Sequence, residues 1–261
     1  MKRHQYHQPK RKPPAAINDN TFHKQLNRAL DLLNRYALEE GLQIIQELTH
    51  THPEHHDVQY ALGAYHLLKG EYHQAIEHFN RAIDLKPDFA QAYFNKAAAH
   101  QQLMEVKQTI RAFQHVVEFG DPHQGYVRQA QDFLTGFENL IADYEGVSMS
   151  TYLEGGDEFD NGVECLKQHD WHAAISHFER SLALTPRHPQ TYCNIGLCYL
   201  HVGRKQDALD AFDKALEIDP NYELAHVNRQ MAISLQEGET PPSDIPFVNY
   251  YGETWKEMHR E

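Results

Sequence analysis

A proline that returns at a fixed interval constrains this chain more than any other feature: the step from Pro53 to Pro87 is repeated from Pro186 to Pro220. Other residue types keep the same step. Ile45, Phe79 and Phe113 follow one another at it, as do Phe178 and Phe212, and small residues recur likewise at Gly63 and Ala97 and again at Gly162 and Gly196. A constant period of roughly 34 residues belongs to repeat architectures, in which each helical hairpin buries its apolar face only against its neighbours. Small residues let two helices approach closely, and a proline, which cannot continue a helix, fixes where a hairpin ends. The periodicity therefore predicts an all-α fold.

The copies can be aligned slot by slot. Residues 189–222 carry Tyr192, Ile195-Gly196, Tyr199, Ala208, Phe212, Ala215 and Pro220; residues 56–89 carry Gln59, Leu62-Gly63, His66, Ala75, Phe79, Ala82 and Pro87. Residues 155–188 keep Gly162, Cys165, Ala174, Phe178 and Pro186, and residues 90–122 keep Tyr93, Ala97, Phe113 and a Pro122 slipped by one. Residues 22–55 are the weakest copy, with Gly41 where the second helix should have Ala. This succession of a large residue, Leu-Gly and Tyr, then Ala, Phe and a closing Pro, resembles the tetratricopeptide repeat. The resemblance implies a right-handed solenoid of helical hairpins, with about five repeats, a variant middle hairpin and a C-terminal cap helix.

The step from Phe113 to Phe178 falls just short of two periods, so a degenerate unit lies between them. Val127, Ala130, Phe133, Leu134, Phe137, Leu140, Ile141 and Tyr144 step by three and four and predict one amphipathic helix, ended by Gly146. The stretch from Ser148 to Gly156 reads equally as a loop or as the start of the next helix. The expected organisation is a basic arm at 1–21, a first sub-array of three repeats at 22–122 and a variant connector at 123–154. A second sub-array of two repeats with its cap helix follows at 155–237, and an aromatic tail at 238–261.

Composition limits the function classes. No stretch approaches the roughly 20 apolar residues of a membrane span, and the basic Met1–Lys12 is followed by Pro13-Pro14 rather than a hydrophobic region, so a cytoplasmic location is expected. Cys165, Cys193 and Cys198 fall in first helices, where a small apolar residue is wanted, and three cysteines make no disulfide framework. Lys2, Arg3, Lys10, Arg11 and Lys12 take five of the chain's 24 basic residues into the arm's first turn of sequence, and all 37 acidic residues come after them. An acidic body argues against a nucleic-acid groove and favours a neutral or basic partner. Its densest acidic patch is Glu154, Asp157, Glu158 and Asp160.

By the family's geometry, first helices line a concave face, on which the positions two residues before each small slot are Asn27, Ala61, Asn95, Asp160, Asn194 and Asn228. A side-chain amide donates and accepts at once, so a column of them can pair with the backbone of an extended peptide; as a binding set, Asn27, Asn95, Asp160, Asn194 and Asn228 resemble the asparagine ladders of polypeptide-binding relatives. A vestige of the repeat consensus is the competing reading. One residue earlier, Tyr60, Phe94 and Phe159 are candidates for aromatic pockets, against the alternative that they are core. A subset of the family grips the terminal carboxylate of heat-shock chaperones with Lys, Asn and Arg. The Lys slots here hold His23, Asp57, Gln91, Gly156, Gln190 and Leu224, which argues against such a clamp.

His50, His52, His55 and His56 surround Pro53, but their spacing fits no fixed metal pattern, and neither metal nor cofactor is expected. The Pro-broken segment with Phe247, Val248, Tyr250, Tyr251 and Trp255 is too apolar for an indifferent linker. There is no phosphate-cradling loop, G-x-S-x-G or H-E-x-x-H, and no enzyme is expected. The sequence thus predicts a protein-interaction adaptor holding an extended polypeptide in its groove. The alternative is a structural or self-assembling module, a homodimer for instance, whose groove is filled by its own tail or by another copy.

Overall fold

The computed structural model describes residues 19–236 and 239–242. The basic residues of the arm and the five apolar residues of the tail lie outside them. Among the described residues there are twelve α-helices and no strand. The chain divides into two compact units, Met1–Ala99 and His100–Glu261.

The first unit contains α1 (Asp19–Asn34), α2 (Leu38–Thr51), α3 (His56–Leu68), α4 (Tyr72–Leu85) and most of α5 (Ala90–Gln102). Helix α1 packs along α2, and α3 along α4. The second unit contains α6 (Val106–Phe119), α7 (Gly125–Tyr144), α8 (Met149–Lys167), α9 (Trp171–Leu184), α10 (Pro189–His201), α11 (Lys205–Ile218) and α12 (Glu223–Ser234), with α8 paired to α9 and α10 to α11.

Each hairpin is closed by the same device. Tyr36, Gly70, Met104, His169 and Gly203 all have φ between 59° and 77°. One period separates Tyr36 from Gly70, Gly70 from Met104, and His169 from Gly203. At each, the left-handed residue donates its N–H to the carbonyl three residues back and its successor donates to the carbonyl five residues back; at Tyr36 these bonds are 2.9 Å to Leu33 and, from Ala37, 2.9 Å to Leu32. This is the Schellman closure, which satisfies carbonyls left open at a helix C-terminus and reverses the chain. The repeated prolines mark the other ends of the hairpins. Pro53, Pro87, Pro186 and Pro220 each stand two residues beyond the last residue of α2, α4, α9 and α11.

Close helix contact explains the recurring small residues. A Cβ on Gly63, Gly162 or Gly196 would lie 2.6 Å from the ring of Phe79, Phe178 or Phe212 respectively, all three rings being fully buried. The first hairpin exchanges its two small slots. Ala29 stands one period before Gly63 and Gly41 one period before Ala75, and a Cβ on Gly41 would meet Leu33 Cδ2 at 2.9 Å. The apparent weakness of residues 22–55 is thus a swap that keeps one glycine at this hairpin's contact.

The middle segment is α7, a short turn, and the extended N-terminus of α8. The stretch from Ser148 to Gly156 is helical from Met149 onward, so the register boundary at 155 falls inside α8. Ser148 is the N-cap, its Oγ accepting from the Thr151 N–H at 3.2 Å. Gly155 and Gly156 do not break the helix because both are buried against neighbours: Ser181 Oγ donates to the Gly155 carbonyl at 2.9 Å and Lys107 Nζ to the Gly156 carbonyl at 3.1 Å. No helix of the described residues is long and apolar enough to cross a membrane.

Candidate functional site

In the first unit the asparagine and aromatic positions remain within reach of solvent. Asn27 is exposed on α1; Ala61 is buried on α3; Tyr60, Phe94 and Asn95 are half-buried on α3 and α5. Asn95 Nδ2 donates to Tyr60 Oη at 3.0 Å, joining an amide of the ladder to an aromatic of the neighbouring helix. The Tyr60 ring lies 5.9 Å from Phe79 and 5.1 Å from Phe89, so its body is anchored in the core while its hydroxyl meets the surface amide. Beside them, burial pulls the Lys96 ammonium below its ordinary pKa, opposed by Asp84.

In the second unit Phe159, Asn194 and Asn228 are closed. Asn194 and Asn228 are at most 1% exposed, and Asn228 Nδ2 is directed at Cys193 Sγ, 3.4 Å away. Phe159 has no exposure and packs on Phe178 and His188 at ring distances of 5.7 and 5.6 Å. At these three candidate positions the side chains lie against protein rather than open to water. Asp160 is half-buried and paired with Lys107, a lysine on α6 that is 4% exposed and also reaches Asp157 at 3.0 Å.

The acidic patch is likewise spent within the unit. Asp157 pairs with Lys107 and Arg111, and Glu158 with His177 at 2.8 Å and Arg180 at 2.9 Å. Burial pushes the Asp157 carboxyl up, yet Lys107 and Arg111 together outweigh it and hold it below the usual carboxylate value; Glu158 is held down in the same way by His177 and Arg180. Of the four acids only Glu154 is exposed, so the patch is not a free anionic surface.

The histidine cluster is only partly assembled. Donor atoms of His55, His56 and Asp57 lie within 4.8 Å of one another, whereas His52 Nδ1 is hydrogen-bonded to Thr51 Oγ1 at 2.8 Å and the His52 ring packs on Phe22. His55 caps α3 by accepting the Asp57 N–H at its Nδ1, 3.2 Å away. Burial, helped by the neighbouring imidazoles, lowers the His55 pKa against the pull of Asp57. The His55 and His56 rings are stacked at 4.7 Å and 17°, so their in-plane lone pairs run side by side rather than converging on one ion.

One feature of the first unit had no signal in the ladder register. A cleft of about 630 Å³ opens between α2 and α3, lined by Leu42, Gln46, Thr49, His50, Leu62, Tyr65, His66, Lys69 and Glu71. Glu71, the residue after the left-handed Gly70, accepts from His66 Nδ1 at 2.6 Å and pairs with Lys69 at 2.9 Å. The same pairing recurs one period later between His100 and Glu105, so the turn, not the groove, is the place where these histidines belong.

Repeated helical hairpins with a common turn, a common glycine–phenylalanine contact and a first-helix face carrying amides define a class of repeat proteins that work through surfaces rather than enclosed sites. Residues 189–222 match the family model of the tetratricopeptide repeat and residues 65–103 match that of the TPR repeat, so the chain contains tetratricopeptide repeats. Among curated proteins it is 20% identical over 195 residues to Hsp70-Hsp90 organizing protein 2 of Arabidopsis thaliana, covering 59% of this chain and 34% of that protein. The chain thus spans about a third of the relative's length. Among solved structures, YrrB, described as a TPR protein with an unusual peptide-binding site, is 18% identical with a TM-score of 0.40, over 82% of this chain and 94% of that one. The complex of the yeast Sti1 TPR2AB domain with pHSP90 gives 18% and 0.41 over 82% and 84%, and TTC0263 of Thermus thermophilus gives 16% and 0.40 over 82% and 100%.

Proposed function

We propose that this chain is a non-catalytic protein-interaction adaptor that holds an extended polypeptide on the first-helix face of its first unit. The observation that carries this reading is the hydrogen bond between Asn95 and Tyr60, half-buried beside Phe94, where an amide and an aromatic are offered together. The amide supplies a donor and an acceptor to a peptide backbone and the aromatics supply area for its side chains, with exposed Asn27 extending the set on α1. Similarity to a protein named for organizing Hsp70 and Hsp90 supports the class of role. It does not transfer a chaperone-tail clamp, because none of the Lys slots of this chain holds lysine. A net charge of −13 favours a neutral or basic partner.

Affinity capture with the whole chain, followed by titration of the captured protein's segments as fluorescent peptides, tests the reading. Phe94→Ala with Asn95→Ala should weaken binding by at least about tenfold, since an aromatic anchor and a paired amide are each worth on the order of 1 kcal/mol or more. Asn194→Ala, buried in the other unit, serves as the control. Equal affinity for the double variant and the parent would remove the first unit's face from the function.

A further inference from the structure

The cleft between α2 and α3 has a filled counterpart in the second unit, between α9 and α10. The register that aligns Gly63 with Gly196 aligns His66 with Tyr199, Gln46 with Glu179, and Leu42 and Leu62 with Ile175 and Ile195. Tyr199 reaches back across its groove, its Oη donating to Glu179 Oε1 at 3.1 Å, and the Arg204 guanidinium lies 4.3 Å from the centre of its ring. Ile175 and Ile195 are buried there. In the first unit the shorter His66 turns instead to Glu71 at 2.6 Å and stacks on His78 of α4 at 5.2 Å. The groove it leaves is the cleft of about 630 Å³, where Leu42 and Leu62 are only half-buried and Gln46 is exposed. One period on, half-buried Lys96 stands at the place of Leu62, so that apolar wall is not kept between α4 and α5.

The cleft has the volume of a ligand site, for which roughly 300–1,000 Å³ is ordinary. Its chemistry is that of a phenol site. Leu42 and Leu62 offer apolar walls to a ring, and Gln46 offers an amide oxygen where Glu179 accepts the Tyr199 hydroxyl. The cation comes from another register position, because Glu71 stands at the place of Arg204: Lys69 holds its ammonium 5.3 Å from the centre of the Tyr65 ring at the cleft's lip. Glu71, the one acid lining the cleft, is already paired with His66 and Lys69. A charged side chain of either sign would have to compete with those pairs, whereas a neutral hydroxyl on an electron-rich ring would not.

We propose that the α2–α3 cleft is a second binding site, which takes a tyrosine side chain of a polypeptide partner, its ring between Leu42 and Leu62 and its hydroxyl donating to Gln46. The partner thus supplies to the first unit the ring that Tyr199 supplies within the second. The site shares no residue with the Asn95–Tyr60 face and does not depend on it.

The test uses the full chain with leucine methyl groups labelled for NMR, and p-cresol, the tyrosine side chain itself, as the probe. Leu42 and Leu62 should shift saturably with a Kd on the order of 1 mM, as befits so few atoms, while Leu182 of the filled groove stays still. N-acetyl-tyrosinamide should bind about as well, and toluene, lacking the hydroxyl, at least about threefold more weakly. His66→Tyr builds the second unit's bridge into the first and should abolish saturable binding. Gln46→Ala, an exposed change on α2, should remove the preference for p-cresol over toluene. Unsaturable shifts, or equal shifts at Leu182, overturn the proposal. So do equal affinities for toluene and p-cresol, a preference that survives Gln46→Ala, and exclusion of N-acetyl-tyrosinamide, which would make the cleft a site for small phenols rather than for a polypeptide. The Phe94 and Asn95 variants read the other face, so failure there is distinguishable from failure here.

Discussion

His188 stands immediately before α10 without solvent exposure, its Nδ1 2.8 Å from Thr191 Oγ1, and burial pushes its pKa down to about 3. A cation there would also face the positive end of the α10 dipole. The folded chain therefore keeps this imidazole neutral, whereas the unfolded chain protonates it near its ordinary value of 6.5. Between those two values unfolding takes up a proton, so stability falls as the pH drops, by up to about 1.4 kcal/mol per pH unit from this group. Urea denaturation followed from pH 7 to pH 4 should show that decline, and His188→Asn should flatten it; an equal slope in the variant would assign the acid sensitivity elsewhere. Glu145 runs the other way. It is 8% exposed, and burial raises its carboxyl pKa against the pull of Arg187, so its stability contribution is present below the ordinary carboxyl value and lost as the pH rises through the raised one. Glu145→Gln should thus raise Tm at pH 7 and leave it unchanged at pH 4, as calorimetry at the two values would show.

The hairpin closure joins five turns at one register position, but only Gly70 and Gly203 put glycine there; Tyr36, Met104 and His169 adopt the left-handed region with a side chain. That conformation costs a non-glycine residue roughly 1–2 kcal/mol, part of which glycine returns as unfolded-state entropy. Tyr36 is 72% exposed, so its ring gives little packing in exchange. Tyr36→Gly should stabilise the first unit by about 0.5–1 kcal/mol in chemical denaturation, and a loss instead would show that the ring contributes more than its exposure suggests. Gly196→Ala is the opposite case: its Cβ would sit 2.6 Å from the Phe212 ring and should cost about 1–3 kcal/mol. Both positions were legible in principle, since the repeat step connects Gly70 with Tyr36 and Met104 as plainly as it connects the prolines. Period and small-residue slots report on backbone geometry that every repeat must share. The start of α8 was not legible, because Gly155-Gly156 weakens local helix propensity and only burial against Ser181 and Lys107 decides the outcome.

At the scale of the molecule, the repeat register says which side of each first helix faces inward but not what lies over it. That is why the register does not distinguish the half-buried Asn95 and Tyr60 from the buried Phe159, Asn194 and Asn228. A long-range ion pair shows the same limit: Lys107 and Asp157 are far apart in the chain, and no period relates them. Lys107 is the hub of the second unit's cross-connection, reaching from α6 to the Gly156 carbonyl, Asp157 and Asp160 on α8. Its side chain is only 5% exposed while the two carboxylates are 45% and 43% exposed, so the lysine bears the desolvation and the acids remain partly hydrated. Removing the cation leaves those acids free to recover water, which limits the penalty below the roughly 3–5 kcal/mol of a fully buried pair. Lys107→Met, which retains the aliphatic stem, should destabilise the second unit by about 1–3 kcal/mol at pH 7. The loss should shrink toward pH 3, because Lys107 is one of the two cations that hold Asp157 below its usual pKa, and in the variant Arg111 alone opposes the burial that pushes it up. Denaturation of parent and variant at both pH values measures the difference directly, and a penalty that stays constant with pH would mean that Lys107 acts through its stem alone.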